Sequence, residues 1–234
     1  MIYKLSKKIS NLDYFVVFLP IVLLSPVLYT LSSIGFFLGI SISKFHFIFG
    51  VCSAYFLVGK FYGGKWKELL LSFIVLMFLL VVRYIVGNEM FDIFYDSRNY
   101  HFKGIYTLAK GWNPVYNWDQ CAAIPDLLCD KDHPHRSYLR HYAKSNWIVA
   151  STMYILLPKT TIASFVNMFS VIVSGFFSFA FFRTFLKNTL VTSLLLSCLW
   201  MLNPTSILQF FSGYLDGPHV ACLTAVFSSS LLYY

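Results

Sequence analysis

The chain has 234 residues, of which 58% are hydrophobic, 20% aromatic and only 12% charged, with a formal net charge of +8. Soluble globular domains carry about 25% charged residues, so this composition excludes an ordinary water-soluble domain and indicates an integral membrane protein. The basic excess does not point to nucleic acid: the cations are scattered at the ends of apolar runs with no basic stripe interleaved with aromatics, a placement that suits anionic lipid headgroups.

Only helices or closed barrels satisfy the backbone in hydrocarbon, and the apolar runs here are continuous rather than alternating. The fold class expected is all-α integral membrane, a polytopic helical bundle with an extracytoplasmic loop containing amphipathic juxtamembrane helices. Residues 1–87 form the N-terminal transmembrane helices and 88–145 the extracytoplasmic loop with a surface helix. Residues 146–234 hold a re-entrant or juxtamembrane helix and further transmembrane helices.

Residues 14–43 are uncharged and contain Pro20 and Pro26, and 45–59 follow across Lys44; together they read as two crossings. The first run is too long for a signal-peptide core and lacks a small-residue cleavage site, so it stays as an anchor. A third span, 69–86, carries Arg83 near its end, where its stem can snorkel toward headgroups. Lys4, Lys7 and Lys8 precede the first span, and Lys60, Lys65 and Lys67 separate the second from the third. The positive-inside rule makes both clusters cytoplasmic, so three crossings place residue 88 onward outside.

Seven of the ten acidic residues fall between Glu89 and Asp132, which makes this exported stretch the place to look for function. Residues 96–110 read as a surface helix stopped by Gly111, with Pro114 beyond. Phe102, Ile105, Tyr106 and Ala109 follow the spacing of one buried face. Asp96, Asn99, Tyr100 and Lys103 follow it on another, aligning a carboxylate, an amide, a phenol and an ammonium. Cys121 and Cys129 are compatible with a disulfide in an oxidising compartment, but spacing alone does not show that their sulfurs meet. Asp130, Asp132, His133 and His135 match no ligand spacing and read as a solvated loop. Trp112, Trp118 and Trp147 read as interface-belt aromatics.

Residues 147–157 are too few to cross alone. The run 161–182 then returns to the cytoplasm, leaving Arg183 and Lys187 inside, and 189–215, kinked at Pro204, comes out again to Asp216. The last run, 220–234, ends without a charged flank, which reads as a truncated chain.

The succession of a hydrophobic span, YDSRNYH with Asp96, Tyr100 and His101, an amphipathic helix, Gly111-Trp112-Asn113-Pro114, KSNWIVASTMYIL and LNPTSILQFFSGYLDG resembles the N-terminal part of GT-C-fold polytopic glycosyltransferases. The resemblance covers residues 92–217 and implies a polyprenyl-phosphate sugar donor, a glycan, lipid or protein acceptor, and an inner-membrane location. It implies that Asp96 is the catalytic carboxylate, with Asp92 as the second candidate. Three spans rather than one precede the loop, which departs from the commonest pattern while keeping its parity.

The residues support that chemistry independently. A positioned carboxylate accepts the proton of an attacking acceptor hydroxyl, and cations stabilise the departing phosphate. Arg136, Arg140 and Lys144 precede the short helix, and Lys103 lies on the surface helix. Tyr100, His101, Trp112, Asn113 and Asp216 complete the expected substrate-binding set. A divalent cation is compatible with the carboxylates, but nothing in the sequence requires one. Two other readings stand beside transfer: a transporter or flippase of lipid-linked sugar, and a non-catalytic truncated membrane protein.

Overall fold

Two prolines stand inside the first apolar run, and one helix passes through both. In the computed structural model, which describes residues 14–63, 65–88, 97–117, 144–159, 162, 164–184, 186–187, 189–210 and 216–233, α1 spans Tyr14–Phe37 with Pro20 and Pro26 internal. Thr30 Oγ1 donates to the Pro26 carbonyl at 2.8 Å, the back-bond of a helical threonine to the preceding turn. α1 ends where Gly39 adopts φ 77° and the Ile40 N–H returns to the Gly35 carbonyl at 2.8 Å, a glycine-terminated C-cap. Ser43 then opens α2 (Lys44–Phe61), its N–H donating to His46 Nδ1 at 3.1 Å.

α1 and α2 pack antiparallel. A Cβ on Gly35 would meet His46, one on Gly50 would lie 2.3 Å from Leu28 Cδ2, and Val16 and Leu19 cluster with Val58. α3 (Trp66–Asn88) begins beside the end of α2, with Leu69 against Gly59. Tyr55 and Ser72 share a hydroxyl hydrogen bond of 3.1 Å. The first turn of α3 is capped by Glu68, whose buried carboxylate accepts the Lys65 N–H at 3.0 Å, the charge sign a helix N-terminus favours. α1 and α3 therefore point the same way.

Two shorter helices follow a π-helical turn, Ser97–His101: α4 (Phe102–Ala109) and α5 (Ser145–Leu156). α5 touches α1, α2, α4 and α6. Lys144, just before α5, lies over the Trp112 ring, and Lys159, just after it, lies over Tyr84 near the end of α3. α5 is ~18 Å long, and the lysines that flank it lie over aromatic rings at the same end of the bundle.

α6 (Phe165–Thr184) runs back along α1, with Phe18 and Phe176 stacked at 4.5 Å. α7 (Leu190–Met201) returns beside α6, Met201 Sδ lying where a Cβ on Gly175 would need to be. The expected kink at Pro204 is a restart instead. Asn203 Oδ1 accepts the Ser206 N–H at 3.0 Å and Pro204 occupies the first turn of α8 (Pro204–Gln209), where its missing N–H costs nothing. The run 189–215 is thus not one helix. α9 (Asp216–Tyr233) packs along α6 and against α8.

The described residues are helical, with no strand among them. Val16–Phe37, Trp66–Val86 and Phe165–Thr184 are long and apolar enough to cross a membrane. The contacts sort the chain into two ends. Lys60, Lys65, Lys67, Arg183 and Lys187 collect at one; residues 36–43, 111–117, Lys159, Ile162 and Ser164 collect at the other.

Arg83 departs from expectation. It is 1% exposed and donates through Nη2 to Ser164 Oγ, so its guanidinium turns into the bundle and does not snorkel. A charge inside an apolar span needs such a polar neighbour.

Candidate functional site

The surface-helix segment is built around one glycine. A Cβ on Gly104 would come within 2.6 Å of the Trp147 ring, so the indole lies flat on α4 at the place where a larger residue would hold it away. The buried stripe of α4 is accordingly Gly104, Ile105, Thr107 and Leu108. The expected stripe of Phe102, Ile105, Tyr106 and Ala109 shares only Ile105 with it. Counting large apolar residues misses a contact made through a missing side chain.

Gly104 also explains why Trp147 is not an interface-belt residue. It is 1% exposed, and its Nε1 donates to His101 Nδ1 at 2.9 Å. His101, 2% exposed, is thereby set in one form when neutral: Nδ1 accepts, so the ring proton resides on Nε2. The Tyr100 ring lies 4.3 Å from the His101 ring and is buried, which removes it from the polar edge expected to align it with Lys103. Ser151 Oγ donates to the Ile105 carbonyl at 2.9 Å, fastening α5 to α4 next to this pair.

The Gly-Trp-Asn-Pro motif joins this platform to α1. Gly111, at φ 107°, ends α4 as expected, and the Trp112 N–H closes back to Thr107 O at 3.0 Å. The Trp112 indole is 1% exposed and donates to Asn117 O at 2.7 Å, so this tryptophan too belongs to the interior. Asn113 Oδ1 accepts the Val115 N–H at 3.0 Å, while its Nδ2 donates to Phe36 O at 2.9 Å. The Tyr116 hydroxyl donates to Phe37 O and Ser41 Oγ to Gly111 O. Two carbonyls at the end of α1 thus gain donors from a loop more than seventy residues away: Phe36 O, which also accepts the Gly39 N–H, and Phe37 O. Asn113→Ala should cost about 0.5–1.5 kcal/mol by removing one of the two donors to the Phe36 carbonyl, which keeps the Gly39 N–H, read as a lower midpoint of thermal unfolding in detergent.

Of the expected site residues, the structure brings together Tyr100, His101, Trp112, Asn113 and Lys144 around α4 and α5. Lys144 lies 5.7 Å from the Trp112 ring centroid, and partial burial pushes its pKa below the ordinary lysine value. Lys103 is half-buried on α4. Asp216 is the first residue of α9; the preceding helix ends where Gln209 O accepts Asn167 Nδ2 at 3.2 Å, near the start of α6 and so at the same end as Ser164. Asp92, Asp96, Arg136 and Arg140 lie outside the described residues, as do Cys121, Cys129 and the His133–His135 segment. Among the described residues no group of three or more His, Cys, Asp or Glu gathers as a metal site would require.

Sequence reasoning missed three features of this end: the Trp147 hydrogen bond to His101, Arg83 on Ser164, and Lys159, 4.1 Å above the Tyr84 ring. Arg83 carried a usable signal, since an ionisable residue within an apolar span marks a site by default. The others required the fold.

The class of protein so defined is a helical membrane protein whose polar platform caps one end of its bundle. No protein family, curated protein or solved structure matches the chain.

Proposed function

We propose that this protein is a GT-C-like membrane glycosyltransferase that moves a sugar from a polyprenyl phosphate to a glycan, lipid or protein acceptor on the outer side of the inner membrane. The observation that carries the reading is the separation of ends. The lysine-rich connections and Arg183 lie opposite the platform of α4, α5 and residues 111–117, and the described residues that flank the acidic stretch, up to 117 and from 144, belong to that platform. α2 lies antiparallel to α1 through its whole length, so whatever depth α1 crosses, α2 recrosses. This supports three crossings before the loop and, with the lysines cytoplasmic, an extracytoplasmic platform.

In this mechanism the acceptor oxygen attacks the anomeric carbon while the bond from that carbon to the phosphate oxygen breaks, its electron pair leaving on phosphate. The hydroxyl proton passes to the Asp96 carboxylate; Asp92 is the second candidate for this role. Lys144 and Lys103 supply positive charge at the platform, and Arg136 and Arg140 add bidentate donors for the departing phosphate. Trp112 and Asn113 act here as scaffold, because their polar groups are spent on Asn117, Val115 and Phe36. The test is transfer of labelled sugar from polyprenyl phosphate in membranes holding the wild type or Asp96→Asn, with insertion of both checked.

Lys144 gives the reading a pH dependence. Only the ammonium attracts phosphate, and burial lowers the pKa at which it is lost. Donor affinity is therefore full below that lowered value and declines as pH rises through it, earlier than for an exposed lysine. Lys144→Arg, charged throughout, should flatten the alkaline rise in KM.

A second reading, translocation of a lipid-linked sugar, draws on Arg83, a cation buried within a span. Movement of donor across vesicles without sugar transfer would favour it.

A further inference from the structure

Away from the platform, α1, α6 and α7 leave an apolar groove of about 400 Å³, within the volume range of ligand sites. The stacked Phe18 and Phe176 lie on one side; Leu190, Leu194 and Cys198 form the other. Ser197 is its polar member, and that hydroxyl already donates to Leu194 O at 3.0 Å. Nothing in the lining asks for water or a polar ligand, and apolar cavities stay dry.

Length and charge select the occupant. The groove follows α7 from Leu190 to Met201, which at 1.5 Å per residue is ~16 Å. That is about half of a ~30 Å hydrocarbon core, the depth of one leaflet. A helix of this length, ~10 Å across, fills about 1,300 Å³, far more than the groove holds; a single acyl chain is thin enough. At the mouth, Arg183 stands one turn beyond Phe179 on the same helix face, and Lys187 is exposed in the turn before α7. Both carry the sign that attracts an anionic headgroup.

We propose that this groove is a binding site for one acyl chain of an anionic phospholipid of the leaflet opposite the platform, its headgroup held by Arg183 and Lys187. The site is independent of the transfer reaction. The acyl chain fills space that α1, α6 and α7 leave empty beside their direct contacts.

The test reconstitutes the full chain in bilayer nanodiscs of equal phosphatidylcholine and phosphatidylglycerol and reads retained lipid by native mass spectrometry. One phosphatidylglycerol should remain bound to the wild type. Leu194→Trp and Cys198→Trp, each filling the groove from its open side, should lower that adduct about tenfold or more, the loss expected when even two methylenes are displaced. Arg183→Gln with Lys187→Gln, which leaves the groove intact, should keep an adduct but abolish the preference for phosphatidylglycerol. Unchanged retention in both tryptophan variants overturns the proposal. So does equal retention of the two lipids by the wild type, or a protein segment cross-linked at Cys198 in place of lipid.

Discussion

Trp147→Ala should lower stability by about 3–5 kcal/mol, the range for removing a large buried aromatic, and should do so with little relief from relaxation. The indole fills the space above Gly104, where a Cβ would come within 2.6 Å of it, and its N–H is the donor that orients His101. Removal opens a cavity between α4 and α5 and takes away the bond that places the imidazole proton on Nε2. Trp147→Phe separates the two losses: it retains most of the packing and discards only the N–H. Thermal unfolding in detergent should rank wild type above Phe and Phe above Ala, and nitrogen NMR of labelled histidine should show the tautomer released in both variants. A Phe variant with unchanged tautomer would remove Trp147 as the positioning residue for His101.

Asp96→Asn should cut sugar transfer by about 10²–10⁴-fold, the contribution of a general base, with insertion and donor affinity little changed. The carboxamide is nearly the same size but cannot take the acceptor proton, so the loss falls on kcat and not on KM. Asp92→Asn should have a smaller effect if Asp96 holds the role. Transfer that survives Asp96→Asn at wild-type rate would end the mechanism, whereas loss of both insertion and transfer would point to a structural task for this carboxylate.

The helical membrane class was legible from composition, because burial in lipid requires long uncharged runs whatever the tertiary arrangement. Gly111 was legible as a helix stop for a similar reason, since its left-handed backbone is a local need that glycine meets. The end of α1 carries its own local signals in Gly39 and Ser43, whereas Pro20 and Pro26 lie inside the helix and mark no boundary. At Pro204 the proline alone reads as a kink, and it is the pair, Asn203 cap plus first-turn proline, that starts a new helix.

The candidate site divides along the same line. Residue types alone marked the acidic stretch and its carboxylates, cations and aromatics, because charge in an apolar chain is conspicuous. Burial of Tyr100, His101, Trp112 and Trp147, and the turning of Arg83 inward to Ser164, came only with the fold. Hydropathy ranks a residue by its own preference for water, whereas Trp147 meets His101 46 residues away and Arg83 meets Ser164 81 residues away in the chain. The sequence determined which segments leave water and which surface holds the charge, since both are sums over local composition. The tertiary structure decided which polar groups are spent on holding helices together and which stay near the platform, since a hydrogen bond depends on two partners meeting and not on the nature of either one.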